Sequence, residues 1–297
     1  MTDQARREAT LFLALTFALS LPFWILALGR RELVSQAPGL FSHLLMWCPG
    51  IAALASRWFC RRSLRDLGWR WPGIRRLALA FLLPFLYGIA YLVSWLAGWA
   101  FFDSARAASA LARFGLDGIP VGIGLLVLAL VVPASGLVVD WVVALGEELG
   151  WRGLLVPALA ERMGFTRASL LSGVIWAGWH VPLIVAFVPA LLPGPPAFAA
   201  ILFFTLNVTG MSFAYAWLRL RSDSVWPAVV LHAVTNLLVQ GFFDRLTVDA
   251  GPTWWIVGEY GLGTAAVGVA IGLGIWLWHR RHRCGSSARS SLRGNEG

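Results

Sequence analysis

Apolar residues run along this chain in long blocks separated by short charged or Pro/Gly-rich breaks. The blocks fall at about residues 9 to 28, 40 to 60, 77 to 102, 119 to 160, 168 to 189, 197 to 218, 225 to 243 and 254 to 278. All but the fourth come to about the 20 residues that an α-helix needs to cross a hydrocarbon core of about 30 Å. The pattern predicts an all-α fold, a polytopic membrane helix bundle of about eight transmembrane helices. The fourth block is too long for one crossing, because about 40 residues would make a helix near 60 Å. It must break or project, and Pro133 with Gly136 offers the break. The first block follows Arg6 and Arg7 but is long and is followed by Arg30 and Arg31, which reads as a retained signal anchor rather than a secretory leader.

No internal repeat is visible. The chain divides into N-terminal transmembrane helices (1–118), a polar-bearing core (119–243), a final transmembrane helix (244–283) and a Ser/Gly/Arg-rich tail (284–297) expected to be disordered.

Composition sharpens this picture. With 58% hydrophobic residues, 13% charged residues and a mean hydropathy of +0.71, a large aqueous domain has no room. A net charge of +9 would suit nucleic acid, but all 24 basic residues are arginines and they punctuate the apolar blocks. They read as topology determinants, so membrane lipid is the expected partner and nucleic acid is not. With the N-terminus inside, 19 arginines fall on one side and five (Arg30, Arg31, Arg106, Arg113, Arg245) on the other. The expected protein is multi-pass in a bacterial plasma membrane with both termini cytoplasmic; the arginine, alanine, glycine and tryptophan load suggests a GC-rich genome. Cys48, Cys60 and Cys284 have no disulfide or metal-ligand spacing. Trp69, Trp71, Trp254 and Trp255 read as interfacial anchors.

Ionisable residues within spans each cost about 3 kcal/mol on insertion scales, so each needs a partner or a task. Three stretches carry them. Glu147, Glu148 and Arg152 follow Asp140; Glu148 and Arg152 are four apart, hence on one helical face in the favourable acid-before-base order. Asp140 shares a face with Glu147. In the fifth block Trp176 precedes His180, which lies about 20 Å in from Arg167, and in the seventh His232 and Asn236 lie about 13 and 19 Å in from Asp223. Taken singly, the Glu/Arg pair is a structural salt bridge, one histidine is packing and Asn236 is helix-helix glue. Together, at overlapping depths, they read as one polar cavity. By depth it is expected to open towards the cytoplasm.

An acid near a histidine can deprotonate water, and a second histidine with an amide can stabilise an oxyanion, as attack of water on a peptide carbonyl requires. Glu147, His180 and His232 would equally make a His/His/Glu metal site with an open position, so the cofactor is either none or Zn²⁺. A His-Glu-x-x-His zinc motif, a Gly-x-Ser-x-Gly elbow, a phosphate loop and a dinucleotide fingerprint are absent.

These residues resemble the motifs of the CAAX protease and bacteriocin-processing (CPBP, or Abi) family of intramembrane endopeptidases. Glu147, Glu148 and Arg152 match its Glu-Glu-x-x-x-Arg, His180 its second motif with Trp176 where the family has phenylalanine, and His232 with Asn236 its His-x-x-x-Asn/Asp. The resemblance implies catalytic roles for Glu147 and His180 on the water and for His232 and Asn236 on the oxyanion, with Glu148, Arg152 and Trp176 as structural support. It implies a peptide or membrane-protein substrate; a prenylated one fits poorly with a bacterial source. Family readings both with and without metal exist. Two other readings are open: a transporter with a polar midplane site, which would favour paired broken helices in related halves, and a catalytically silent immunity or scaffold protein, which would be expected to have lost a catalytic position.

Overall fold

The computed structural model describes residues 3–135, 137–188 and 194–293. The helices are α1 (Asp3–Gly29), α2 (Arg31–Gln36), α3 (Pro38–Phe59), α4 (Ile74–Leu82), α5 (Gly88–Leu96), α6 (Ser104–Arg113) and α7 (Val121–Ser135). They continue as α8 (Leu137–Glu148), α9 (Val156–Phe187), α10 (Ala197–Ser222), α11 (Trp226–Leu238), α12 (Thr253–Ile256) and α13 (Leu262–Arg293). The backbone of α13 thus continues as helix through most of the tail for which composition predicts disorder. Strands β1 (Ala100–Phe102) and β2 (Thr247–Asp249) form a small antiparallel ribbon, with Phe101 opposite Val248.

Seven helical stretches are long and apolar enough to cross a membrane. One of them, Val139–Phe187, holds 49 residues. It is not straight: Gly164 sits at φ 73° and ψ 175°, a conformation that glycine reaches without a Cβ clash. Glu147 and Trp176 are 29 residues apart and would stand about 43 Å apart on a straight helix, yet their side chains are hydrogen-bonded. The chain therefore reverses at Gly164 and crosses twice, which gives eight passes in a multi-pass membrane protein. The break expected from Pro133 with Gly136 falls, at Gly136, outside the described residues: α7 is described to Ser135 and α8 from Leu137.

The core of the bundle is α10 packed between α9 and α13, with α3 against α1 and α8, and α11 against α8. Glycines allow the close crossings. A Cβ on Gly50 of α3 would lie 2.6 Å from the Gly146 carbonyl oxygen of α8, and one on Gly210 of α10 would lie 2.5 Å from the Gly268 carbonyl oxygen of α13.

Arginines gather at one end, where not all serve only as topology signals. Arg57 and Arg62 both pair with buried Glu8 at 3.0 Å. Buried Arg219 donates from Nε to the Arg152 carbonyl at 2.9 Å and pairs with Asp223. Trp226 bonds from its indole to the Trp69 carbonyl and packs on Trp71, closing the same end.

Candidate active site

Glu147 and Glu148 end α8 where the helix passes into a π-helical turn, Leu149–Leu155. Both carboxylates are buried, at 1% and 0% exposure, and they face different partners. Glu147 Oε2 accepts from two indoles, Trp151 Nε1 at 3.2 Å and Trp176 Nε1 at 2.6 Å. Glu148 Oε1 accepts from Arg152 Nη1 and from His232 Nδ1, each at 2.9 Å. The expected bracing pair is therefore present and larger than expected, because Glu148 ties α11 as well as its own helix. Arg152 is sandwiched by aromatic rings, its Cζ lying 4.1 Å from the Trp176 ring centroid and 4.0 Å from that of Tyr215.

His180 places Nδ1 3.0 Å from the Trp176 carbonyl. A carbonyl only accepts, so Nδ1 carries a proton and a neutral ring keeps its lone pair on Nε2. The ring is walled by Trp179 and Phe204. His232 is oriented in the same manner, with Nδ1 on Glu148 and Nε2 left over. Trp176 stands between the components: its ring meets His180 at 5.9 Å and His232 at 5.5 Å between centroids.

Glu147, His180, His232 and Asn236 line one cavity of about 500 Å³. The four predicted site residues are thus brought together. Asp140, partly buried two turns before Glu147, is not among the lining residues. The cavity's outer lining comes from Ser35, Ser42, Phe187, Gln240 and Glu259, at the end of the bundle opposite the arginine-rich loops. Towards the arginines the way is filled by Leu67, Trp151, Leu155 and Arg219, all nearly or fully buried.

The sequence reading treated Trp176 as an aromatic wall in place of phenylalanine. It is also a hydrogen-bond donor to Glu147, which phenylalanine cannot be. Trp151 was missed as well, although its position four residues after Glu147 is the signal that would have found it. Each histidine commits Nδ1 to a protein acceptor and leaves Nε2 free, an orientation that metal-binding histidines share, while Glu147 Oε2 is held by two N–H donors and among the described residues no three His, Cys, Asp or Glu side chains converge as ligands. Cys48 and Cys60 are free thiols.

Glu259 lies outside the spans, between α12 and α13, and its carboxyl is pushed up to about 7 by burial and by the nearby charge of Asp244, against a hydrogen bond from Tyr260.

Residues 125–238 match a family described as type II CAAX prenyl endopeptidase Rce1-like. That segment contains all three motifs, and the resemblance to the CPBP family is borne out over it. A CAAX prenyl protease 2 from Methanococcus maripaludis is 32% identical over 100 residues, which is 31% of this chain and 34% of that protein. The chain thus spans about a third of the length of the curated relative it matches.

Proposed function

We propose that this protein is an intramembrane endopeptidase that hydrolyses peptide bonds with a water activated by Glu147 and His180. The observation that carries this reading is the convergence of Glu147, His180, His232 and Asn236, from α8, α9 and α11, on one aromatic-walled cavity inside a membrane bundle. The two indoles on Glu147 Oε2 leave Oε1 for a water, and His180 Nε2 offers a second acceptor on the same cavity. As the water oxygen bonds to the scissile carbonyl carbon, its proton passes to this acid-histidine pair. The carbonyl electron pair moves onto oxygen, where Asn236 Nδ2 and His232 as imidazolium, donating from Nε2, hold it. Collapse of the tetrahedral species breaks the C–N bond, and the stored proton goes to the departing amine. No hydroxyl or thiol is hydrogen-bonded to either histidine among the described residues, which favours water over an acyl-enzyme.

Hydrolysis proceeds without metal in this reading, because Asn236 beside His232 suits an oxyanion better than a ligand sphere and two indoles already hold Glu147 Oε2. Activity of purified enzyme is expected to persist in excess chelator; loss on chelation with recovery on adding zinc would replace the metal-free scheme with a zinc one.

The substrate is an apolar peptide or membrane-protein segment. The relative's name specifies a prenylated CAAX substrate, but the match covers too little of either chain to carry that specificity across. We place the protein in a bacterial plasma membrane with both termini cytoplasmic, on the arginine distribution. Because the cavity opens at the opposite end, the scissile bond then enters from the outer leaflet side.

The test is terminal proteomics of membrane and secreted peptides from cells with the wild type, Glu147→Ala or His180→Ala. New termini present only with the wild type are expected; equal termini in all three strains would sink the peptidase reading.

A further inference from the structure

The outer part of the cavity contains a second polar group that the hydrolytic scheme does not use. Glu259, Gln240, Tyr260 and Thr264 line it together with Asn236 and His232. Glu259 is held in place by its turn. The Gly258 N–H donates to the Tyr91 hydroxyl at 3.0 Å, that hydroxyl donates to Asp244 at 2.6 Å, and the Tyr91 ring stacks on Phe243. Gly258 itself has φ 82°, a left-handed turn that glycine suits. The carboxylate receives Gln240 Nε2 at 3.1 Å, a neutral donor, and no cation pairs with it among the described residues.

One turn further on, Thr264 is 1% exposed and its hydroxyl has no hydrogen-bond partner. Buried helix hydroxyls such as those of Thr16, Ser20 and Ser169 bond back to the carbonyl four residues earlier, whereas those of Ser56, Thr209 and Thr264 do not, and of these three Thr264 is the one that lines the cavity. Thr264 lies in the first turn of α13, so residue 260 precedes the helix. Thr264 lines the cavity with its hydroxyl unmatched, and a buried polar group without a partner calls for an explanation.

A carboxylate whose partners, Gln240 and Tyr260, are both neutral and a hydroxyl without a partner thus line the same cavity as the motif residues. We propose that Glu259 and Thr264 form a specificity subsite that binds an ammonium or guanidinium group of the substrate peptide, at a fixed distance from the bond cleaved beside Glu147. The inference rests on the endopeptidase reading, and a binding measurement separates the two.

The probes are acetylated, amidated apolar dodecapeptides with one lysine walked along the chain, the matched norleucine set, and a set with a free N-terminus in place of lysine. Full-length protein in lipid nanodiscs is used throughout. In Glu147→Ala, where chemistry is removed, one lysine position is expected to bind about tenfold or more tighter than its norleucine match, the scale of a hydrogen bond to a charged group. That difference is expected to vanish in Glu147→Ala/Glu259→Gln and to survive in part with Glu259→Asp, which keeps the charge and controls for folding. In catalytically intact enzyme the same position should show the preference in kcat/KM. If the free-amine set alone binds better, the cation recognised is the amino terminus. Equal binding of all sets, or a lysine preference untouched by Glu259→Gln, overturns the subsite. A preference in binding without any cleavage by the wild type would instead overturn the peptidase reading and leave the subsite standing.

Discussion

At Trp176 a single side chain serves as wall and as donor, and its two roles can be separated. Phenylalanine keeps the ring beside His180 and His232 but removes the 2.6 Å N–H bond to Glu147. Hydrogen bonds to charged groups contribute about 1.5–3 kcal/mol, so Trp176→Phe is expected to lower kcat by about 10- to 100-fold with a smaller change in KM. An unchanged kcat would reduce Trp176 to a wall. Glu259 gives a pH prediction. Its carboxyl, raised to about 7, is neutral below that pH and charged above it. The groups around it are Asp244, Tyr91, Gln240 and Tyr260, with Glu147 and His232 also within electrostatic range. The ratio of kcat/KM for a lysine peptide over its norleucine match is therefore expected to fall as pH drops through about 7. Taking the ratio cancels any ionisation that acts equally on both peptides. A ratio flat from pH 5.5 to 8.5 would contradict the assignment.

Among the elements, the sequence made the membrane spans and the three motif helices legible, because long apolar blocks and misplaced charge are strong signals in a bilayer. The i to i+4 pairing of Glu148 with Arg152 was legible too, since helix geometry alone sets it. What stayed hidden needed tertiary placement: the indole donors on Glu147, the Glu148 to His232 bond that joins α8 to α11, and Glu259, which sits in a turn without a motif. The buried Arg152–Glu148–His232 set yields a stability prediction. Arg152→Ala leaves a carboxylate at 0% exposure without its guanidinium, and breaking such a pair costs about 3–5 kcal/mol. Reduced monodisperse yield and a lower melting temperature in detergent are expected alongside lost activity. A variant as stable as the wild type with only slower turnover would move Arg152 from the brace to the chemistry. The α3/α8 crossing is equally constrained. A Cβ at Gly146 would meet the Met46 carbonyl oxygen at 2.8 Å, so Gly146→Ala must shift α8 beside Glu147.

For the whole molecule, the arginine distribution and the cavity's direction combine into a statement about access. By sequence 19 of 24 arginines fall in the segments on one side, where Leu67, Trp151 and Arg219 are buried, while Ser35, Ser42, Gln240 and Glu259 of the cavity lining belong to the arginine-poor side. Under the positive-inside rule the closed end is cytoplasmic. Two positions report the two ends without touching the catalytic cluster. Trp71 is 61% exposed in the arginine-rich loop, and Ser42 is exposed at the cavity's outer lining. In a background with Cys60 replaced by serine, a membrane-impermeant maleimide added to intact cells is expected to label Ser42→Cys and to leave Trp71→Cys unlabelled until the cells are opened. Preincubation with a tightly bound peptide should then shield Ser42→Cys, because substrate and reagent share the entrance. Labelling of Trp71→Cys from outside would invert the protein in the membrane. In that inverted case the same cavity would take its substrates from the cytoplasm, as the sequence alone had suggested, with its arginines on the outer face against the usual charge bias.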